Sequence, residues 1–210
     1  MCIVILSKGC DFMQKQNINR RVLLLTISAV SVALLAVCSW ISIPALGPFV
    51  PFTLQTFAIF LIAGLFEPEC SLTSIIAYIV MGAVGVPVFA GFKSGIGAIL
   101  GPTGGYIIGF VFLVLIIALF KKIKPGSIIV LIIGMLVGLA ICYAFGTAWF
   151  YVVFSRSGEA KSIGTILTLC VTPFIIPDLI KLCLAVIFVD RLSIPLSKIG
   201  INIVKYSKAV

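Results

Sequence analysis

The chain has 210 residues, of which 62% are hydrophobic and only 10% are charged. Soluble domains have about 45–50% apolar and about 25% charged residues, so this composition excludes a soluble protein and indicates an integral membrane protein. Histidine is absent, which removes the commonest general base and metal ligand. The seven cysteines show no CxxC or other metal spacing and are interpreted as small apolar packing residues.

Six apolar segments are predicted to cross the membrane as helices and to form one compact, all-α bundle. They cover residues 22–43, 52–66, 71–84, 106–120, 127–154 and 163–189. The second has fifteen residues, fewer than the roughly 20 that an upright helix needs to span a bilayer. Residues 1–20 are expected to be an N-terminal tail, with Met13 as an alternative start, and residues 192–210 a C-terminal tail.

Small residues lie at helical spacing in two of these segments. Ala29 and Ala33 form an A-x-x-x-A pattern in the first segment, and Gly134 and Gly138 form a G-x-x-x-G pattern in the fifth. Small residues at this interval allow another helix to approach closely. The alanine pair therefore predicts a helix contact, either with the chain's own helices or with another protein.

Two irregular stretches interrupt the predicted helices. Residues 43–53 are rich in proline and uncharged, which predicts a capping loop at the membrane edge; Thr53 and Gln55 follow at the start of the second segment. Gln55 either satisfies backbone groups that the prolines leave free or faces a ligand. The glycine-rich residues 82–106 contain Lys93, flanked by Phe89 and Phe92. The nucleotide-binding pattern G-x-x-x-x-G-K-[ST] is missing, so this stretch is predicted to be a lid over the end of the bundle.

The last segment places Asp178 and Lys181 in an otherwise apolar run. Each charge costs roughly 2.5–3.5 kcal/mol near the centre of a bilayer, and residues three apart share a helix face where they can neutralise each other. Pro177 is expected to open the second half of a broken helix, with Asp178 in its first turn. The pair is either a structural ion pair that fixes helix register or a polar binding site near mid-membrane. The second is the working hypothesis, because ionisable residues inside membranes are usually functional.

The basic residues are distributed unequally across the predicted membrane. Six spans put both termini on one side, and that side carries eleven of the fifteen lysines and arginines against three on the other. The positive-inside rule then places both termini in the cytoplasm and both irregular stretches outside, above the buried charges. The net charge of +9 is thus explained by orientation, and nucleic-acid binding is not expected.

Three long motifs resemble the BioY family, the biotin-specific substrate-binding (S) components of energy-coupling factor (ECF) transporters. They are PFVPFTLQTFAIFLIAGL at 48–65, GAVGVPVFAGFKSGIGAILGPTGGYIIGF at 82–110 and PFIIPDLIK at 173–181. The resemblance extends over nearly all of residues 21–191. It implies a six-helix membrane domain over these residues that captures biotin from outside, without catalytic residues, metal or cofactor.

The resemblance also implies partners and residue roles. The partners are a membrane-embedded coupling (T) subunit, onto which Ala29 and Ala33 would dock, and two ATP-binding cassette ATPases. The chain itself is expected in the bacterial plasma membrane. Asp178 accepts and Lys181 donates hydrogen bonds, which together match the cyclic urea of biotin. The carboxylate of biotin is expected on Lys93 or, in an alternative pose, on Lys181. Further ligand contacts are expected from hydrogen-bonding Gln55, Thr53 and Tyr106 and from apolar Phe52, Phe89 or Phe92.

Other functions remain as alternatives. Within transport, the ligand of the S component could be another small carboxylated vitamin. A membrane-embedded enzyme would use Asp178 and Lys181 as acid and base, but the sequence shows no nucleophile beside a base and no metal cluster. A channel would require polar residues along several spans, whereas charge is confined to the last one.

Overall fold

The structure is a computed structural model that describes residues 2–43, 51–156 and 163–198, with side chains over 20–43, 51–156 and 164–196. The proline-rich residues 44–50, for which a capping loop is predicted, lie outside the described residues, as do 199–210 of the predicted tail. The elements are helices, two short strands and one 3-10 turn. They are α1 (Cys2–Trp40), β1 (Ser42–Ile43), β2 (Phe52–Thr53), α2 (Gln55–Leu65), α3 (Pro68–Val84), a 3-10 turn (Ala90–Phe92), α4 (Ile96–Leu100), α5 (Gly104–Ile123), α6 (Ile128–Arg156), α7 (Ile163–Cys170) and α8 (Thr172–Lys198).

Four helical stretches among the described residues are long and apolar enough to cross a membrane. They are Arg20–Trp40, Gly104–Ile123, Ile128–Arg156 and Gly164–Leu196. The remaining two predicted spans are shorter apolar helices, α2 and α3. Residues 2–20 of the predicted tail are helical and continuous with the first span, because α1 extends from Cys2 to Trp40.

The break in the last span lies at Val171, between α7 and α8, and the predicted break at Pro177 is wrong. Pro173 is the second residue of α8, where a missing N–H costs nothing because no helical partner exists there. Pro177 lies inside the same helix and removes only the hydrogen bond to the carbonyl of Pro173. Asp178 is consequently in the second turn of α8, where the helix dipole has less influence than at the first turn.

Glycines bring α5 and α6 into close contact. A Cβ atom on Gly134 would lie 2.8 Å from the Cβ of Phe120, and one on Gly138 would lie 3.0 Å from the carbonyl oxygen of Leu113. Both positions leave little or no room for a Cβ atom, so the predicted small-residue contact of the fifth span is confirmed as an intramolecular one.

Lys121 compensates for the shortness of α2. The side chain is buried, and its ammonium donates to the carbonyls of Ala63 at 2.7 Å, Gly64 at 3.2 Å and Phe66 at 2.7 Å. Ala63 and Gly64 lie in the last turn of α2 and Phe66 caps it, and the carbonyls at a helix C-terminus attract a cation. Lys121 therefore stabilises the end of this eleven-residue helix inside the bundle.

The A-x-x-x-A pair faces outward on α1. Ala29 and Ala33 are exposed, whereas Ser31, Val32 and Leu35 are buried against the rest of the protein. Packing of the alanine pair against the chain's own helices is therefore wrong for the described residues. The face is free for lipid or for another membrane protein.

Candidate ligand-binding site

A cavity of about 830 Å³, counting its open mouth, lies among α2, α5, α6, α7, α8 and the segment between α3 and α5. Its lining combines apolar side chains with a few polar ones, the usual composition of a small-molecule site. Asp178 and Lys181 both line it. The glycine-rich segment, predicted to be a lid, contributes Phe89, Lys93 and Thr103 to the lining.

The inward face of α8 explains why both charges reach the cavity. Phe174, Asp178, Lys181, Ala185 and Val189 are buried at intervals of three or four residues. This is the spacing of one helix face, so the two ionisable side chains lie in line with the apolar side chains that hold α8 on the bundle.

Asp178 and Lys181 form a buried ion pair, as their spacing predicts. The ammonium Nζ of Lys181 lies 2.8 Å from Oδ1 of Asp178, and the two residues are 9% and 3% exposed. The hydroxyl of Thr56 donates to the same Oδ1 at 2.9 Å, and the phenol of Tyr143 donates to Oδ2. Three donors thus hold the carboxylate, and Oδ2 retains a lone pair for one further donor.

All three hydrogens of the Lys181 ammonium have acceptors. Besides Oδ1 of Asp178, they are the backbone carbonyl of Thr53 at 2.6 Å and the hydroxyl oxygen of Thr56 at 3.3 Å. An ammonium carries three donors and no acceptor. Lys181 therefore has no free donor for a ligand in this arrangement, and it neutralises and orients Asp178.

Gln55 lines the cavity at the first residue of α2 and is 6% exposed. Its Oε1 accepts from the hydroxyl of Thr53 at 3.0 Å, and its Nε2 donates to the phenol oxygen of Tyr78 at 2.6 Å. Among the described residues, the amide bonds these two side chains, and Gln55 lines the cavity. Thr53 lines the cavity as well.

The aromatic candidates divide between the cavity and the surface. Phe89 and Tyr106 line the cavity, and the hydroxyl of Tyr106 donates to the carbonyl of Cys170 at 3.3 Å. Phe52 does not line the cavity. Its ring stacks on Phe174, which does line it. Phe92 is 62% exposed and lies outside the cavity.

Backbone conformation explains the position of Phe92. Gly91 and Phe92 both have positive φ angles, 68° and 58°. Residues other than glycine rarely adopt this backbone conformation. This turn brings the backbone of Phe89 and Lys93 together and leaves the ring of Phe92 stacked on Trp40, with centroids 5.2 Å apart. The ammonium of Lys93 has no hydrogen-bond partner or counter-ion among the residues that the structure describes, although its side chain lines the cavity.

The glycine-rich segment is attached to α1 and α3 through its backbone. The carbonyl of Val88 accepts from Tyr78 at 2.8 Å and from Ser39, and the carbonyl of Pro87 accepts from the indole of Trp40 at 2.8 Å. The ring of Phe89 fits over Gly82, where a Cβ atom would lie 2.0 Å from the ring. These contacts hold the part of this segment that carries Phe89 against the cavity.

Tyr143, Thr56 and Tyr78 belong to the polar lining or its support, and sequence reasoning did not identify them. Tyr143 and Thr56 bond the carboxylate of Asp178 from α6 and α2, and Tyr78 holds Gln55 from α3. For Tyr143 and Tyr78 the sequence did contain a signal, since each is a tyrosine within an apolar span and a buried tyrosine hydroxyl needs a hydrogen-bond partner.

The cavity as a whole suits the binding of a small molecule. It combines an apolar wall with a few fixed polar groups, the usual composition of a small-molecule site. Over the described residues, no three His, Cys, Asp or Glu side chains lie together as metal ligands would. Fold and site together define a multi-pass membrane protein with a binding cavity for a small polar molecule.

The chain belongs to the BioY family, whose model matches residues 13–197. It is 40% identical over 160 residues to the biotin transporter BioY of Thermotoga maritima, covering 76% of this chain and 89% of that protein. It is also 40% identical over 169 residues to the probable biotin transporter BioY of Pyrococcus horikoshii, covering 80% and 94%. A crystal structure of the S-component for biotin from an ECF-type ABC transporter superimposes with a TM-score of 0.73 at 31% identity, covering 83% of this chain and 92% of that one.

Proposed function

We propose that this chain is the biotin-binding S component of an ECF-type vitamin uptake transporter. The observation that carries the proposal is the buried Asp178–Lys181 pair lining a cavity in a member of the BioY family. A buried ion pair needs no cavity if its role is only structural. Here the carboxylate keeps a lone pair for a donor at the cavity, which suits an N–H group of a cyclic urea.

The hydrogen bonds within the protein support one of the two ligand poses. Lys181 uses its three donors within the protein, and the ammonium of Lys93 has no partner among the described residues, which favours Lys93 as the partner of the biotin carboxylate. The urea then lies at Asp178 and Gln55. Phe89 and Tyr106 flank the apolar part of the ligand.

The membrane arrangement of the proposal has six spans, with α2 and α3 as the two short ones. Residues 1–20 and 192–210 are assigned to the cytoplasm, in agreement with the excess of basic residues on that side. The cavity and the glycine-rich lid then face outward, from where biotin enters. The chain lies in the bacterial plasma membrane.

The energy for transport comes from partners. A membrane-embedded coupling subunit docks on the exposed Ala29 and Ala33 of α1, and two ABC-type ATPases bind that subunit. The proposal assigns no catalytic residue and no cofactor to this chain. The purified chain alone is therefore expected to hydrolyse no ATP.

The test of this proposal is calorimetric titration of biotin into the purified protein in detergent. Saturable binding with one site per chain and a Kd below about 1 μM, a free energy near −8 kcal/mol, is expected. Competition with other carboxylated vitamins belongs to the same experiment. Failure of biotin to bind or to displace such a vitamin would contradict the assignment of the ligand.

A further inference from the structure

Tyr78 occupies a directional chain of hydrogen bonds between the cavity and the lid. It is 1% exposed, its oxygen lies 2.8 Å from the carbonyl oxygen of Val88, and its ring packs edge-on against Phe89 with centroids 5.5 Å apart. Two oxygens at this distance need a hydrogen between them. The carbonyl has none, so the phenol of Tyr78 donates to Val88.

This direction determines the orientation of Gln55. The hydrogen of Tyr78 is used on Val88, so the phenol oxygen can only accept from Gln55, 2.6 Å away. The group of Gln55 that faces Tyr78 must then be the NH₂ of the amide and not its oxygen. The opposite end of the amide agrees with this orientation, because Oε1 accepts from the hydroxyl of Thr53 at 3.0 Å.

The oriented amide has one donor and one acceptor left. A glutamine side chain carries two N–H donors and two acceptor lone pairs, and Tyr78 and Thr53 use one of each. Gln55 lines the cavity. A cyclic urea presents an N–H and a carbonyl side by side, which is the complement of one remaining acceptor and one remaining donor.

We propose that Tyr78 is a positioning residue that sets the amide orientation of Gln55, so that this amide recognises the N–H and the carbonyl of a urea-containing ligand. The inference rests on the proposed function and deepens it. Tyr78 acts through Gln55 and does not contact the ligand, since it is not among the residues that line the cavity.

The test is a double-mutant cycle on biotin affinity with Tyr78→Phe, Gln55→Met and the double variant. Tyr78→Phe keeps the ring against Phe89 and is expected to weaken binding about tenfold, the size of one hydrogen bond. In the Gln55→Met background the same change is expected to have no further effect, because the residue it positions is gone. Tyr151→Phe on the exposed part of α6 is the matched control and is expected to bind as the wild type.

Two results would overturn the inference. One is wild-type affinity in Tyr78→Phe; the other is fold-losses that multiply in the double variant, which is the signature of an independent structural role. If Tyr78→Phe does not fold, Gln55→Glu replaces the donor facing Tyr78 by an acceptor and is expected to bind at least as weakly as Gln55→Met. Wild-type affinity in Gln55→Glu would equally overturn it. The wild-type titration tells this failure apart from failure of the proposed function.

Discussion

Removal of the negative charge at the cavity gives the sharpest perturbation of the site. Asp178→Asn keeps the shape of the side chain, but it leaves Lys181 buried without its counter-ion, 2.8 Å from a neutral amide. Breaking a buried pair from one side costs about 3–5 kcal/mol of folding free energy. The ligand also loses an acceptor of its N–H, a hydrogen bond to a charged group worth about 1.5–3 kcal/mol, or roughly 10–150-fold in Kd.

The double variant Asp178→Asn/Lys181→Met separates stability from binding. With both charges gone, no buried ion remains unpaired, so the midpoint of thermal unfolding is expected to recover most of what Asp178→Asn loses. Biotin affinity is expected to remain as weak as in the single variant. The assay is calorimetric titration of biotin together with thermal unfolding of the same preparations in detergent.

The control for this experiment is Asp190→Asn, the same substitution further along α8 and outside the cavity. It is expected to change neither affinity nor unfolding midpoint appreciably. If the charge-neutral double variant binds biotin as tightly as the wild type, the ion pair is a structural device only. The reasoning that links it to the ligand would then be refuted.

Three further predictions concern the ligand carboxylate, the docking face and the cap of α2. Lys93→Met is expected to weaken the affinity for biotin about tenfold in calorimetry, because one charge-assisted contact is lost. The affinity for biotin amide, which has no carboxylate, is expected to stay the same. Ala29→Leu with Ala33→Leu is expected to spare biotin binding and to prevent co-purification with the coupling subunit, because close helix approach is blocked. Lys121→Met removes the ammonium that donates to the carbonyls of Ala63, Gly64 and Phe66, and it is expected to cost about 3 kcal/mol in unfolding experiments.

Each of these three predictions would be contradicted by a different result. Equal losses for biotin and its amide in Lys93→Met would place the carboxylate elsewhere. For docking, the control is Val30→Leu on an exposed neighbouring position, and intact complexes with the alanine variants would move the interface off this face. For the cap, the exposed Lys122→Met serves as control, and equal unfolding midpoints of the two lysine variants would contradict a capping role.

Local periodicity predicted the part of the site that lies on one helix. The i, i+3 spacing of Asp178 and Lys181 within an apolar run indicated a shared face and an ion pair, and both are confirmed. The position of the helix break could not be obtained in the same way. Pro177 removes a single hydrogen bond, which α8 tolerates, while the chain breaks at Val171, just before Pro173 enters the first turn.

The partners of the carboxylate could not be predicted, because they are distant in sequence. Thr56 and Tyr143 lie 122 and 35 positions from Asp178 and reach it only when α2, α6 and α8 pack together. Helix periodicity identifies the face of a side chain but not the helix opposite it. Phe92 illustrates the same limit in a loop, where positive φ at Gly91 and Phe92 directs the ring away from the cavity.

The measurement that tests the central claim most directly is an experimental structure of the protein with biotin bound. The account predicts the urea against Asp178 and Gln55 and the carboxylate on Lys93, with Lys181 still bonded to Asp178 and to the carbonyl of Thr53. Biotin bound elsewhere, or a carboxylate of biotin that replaces Asp178 on Lys181, would contradict it.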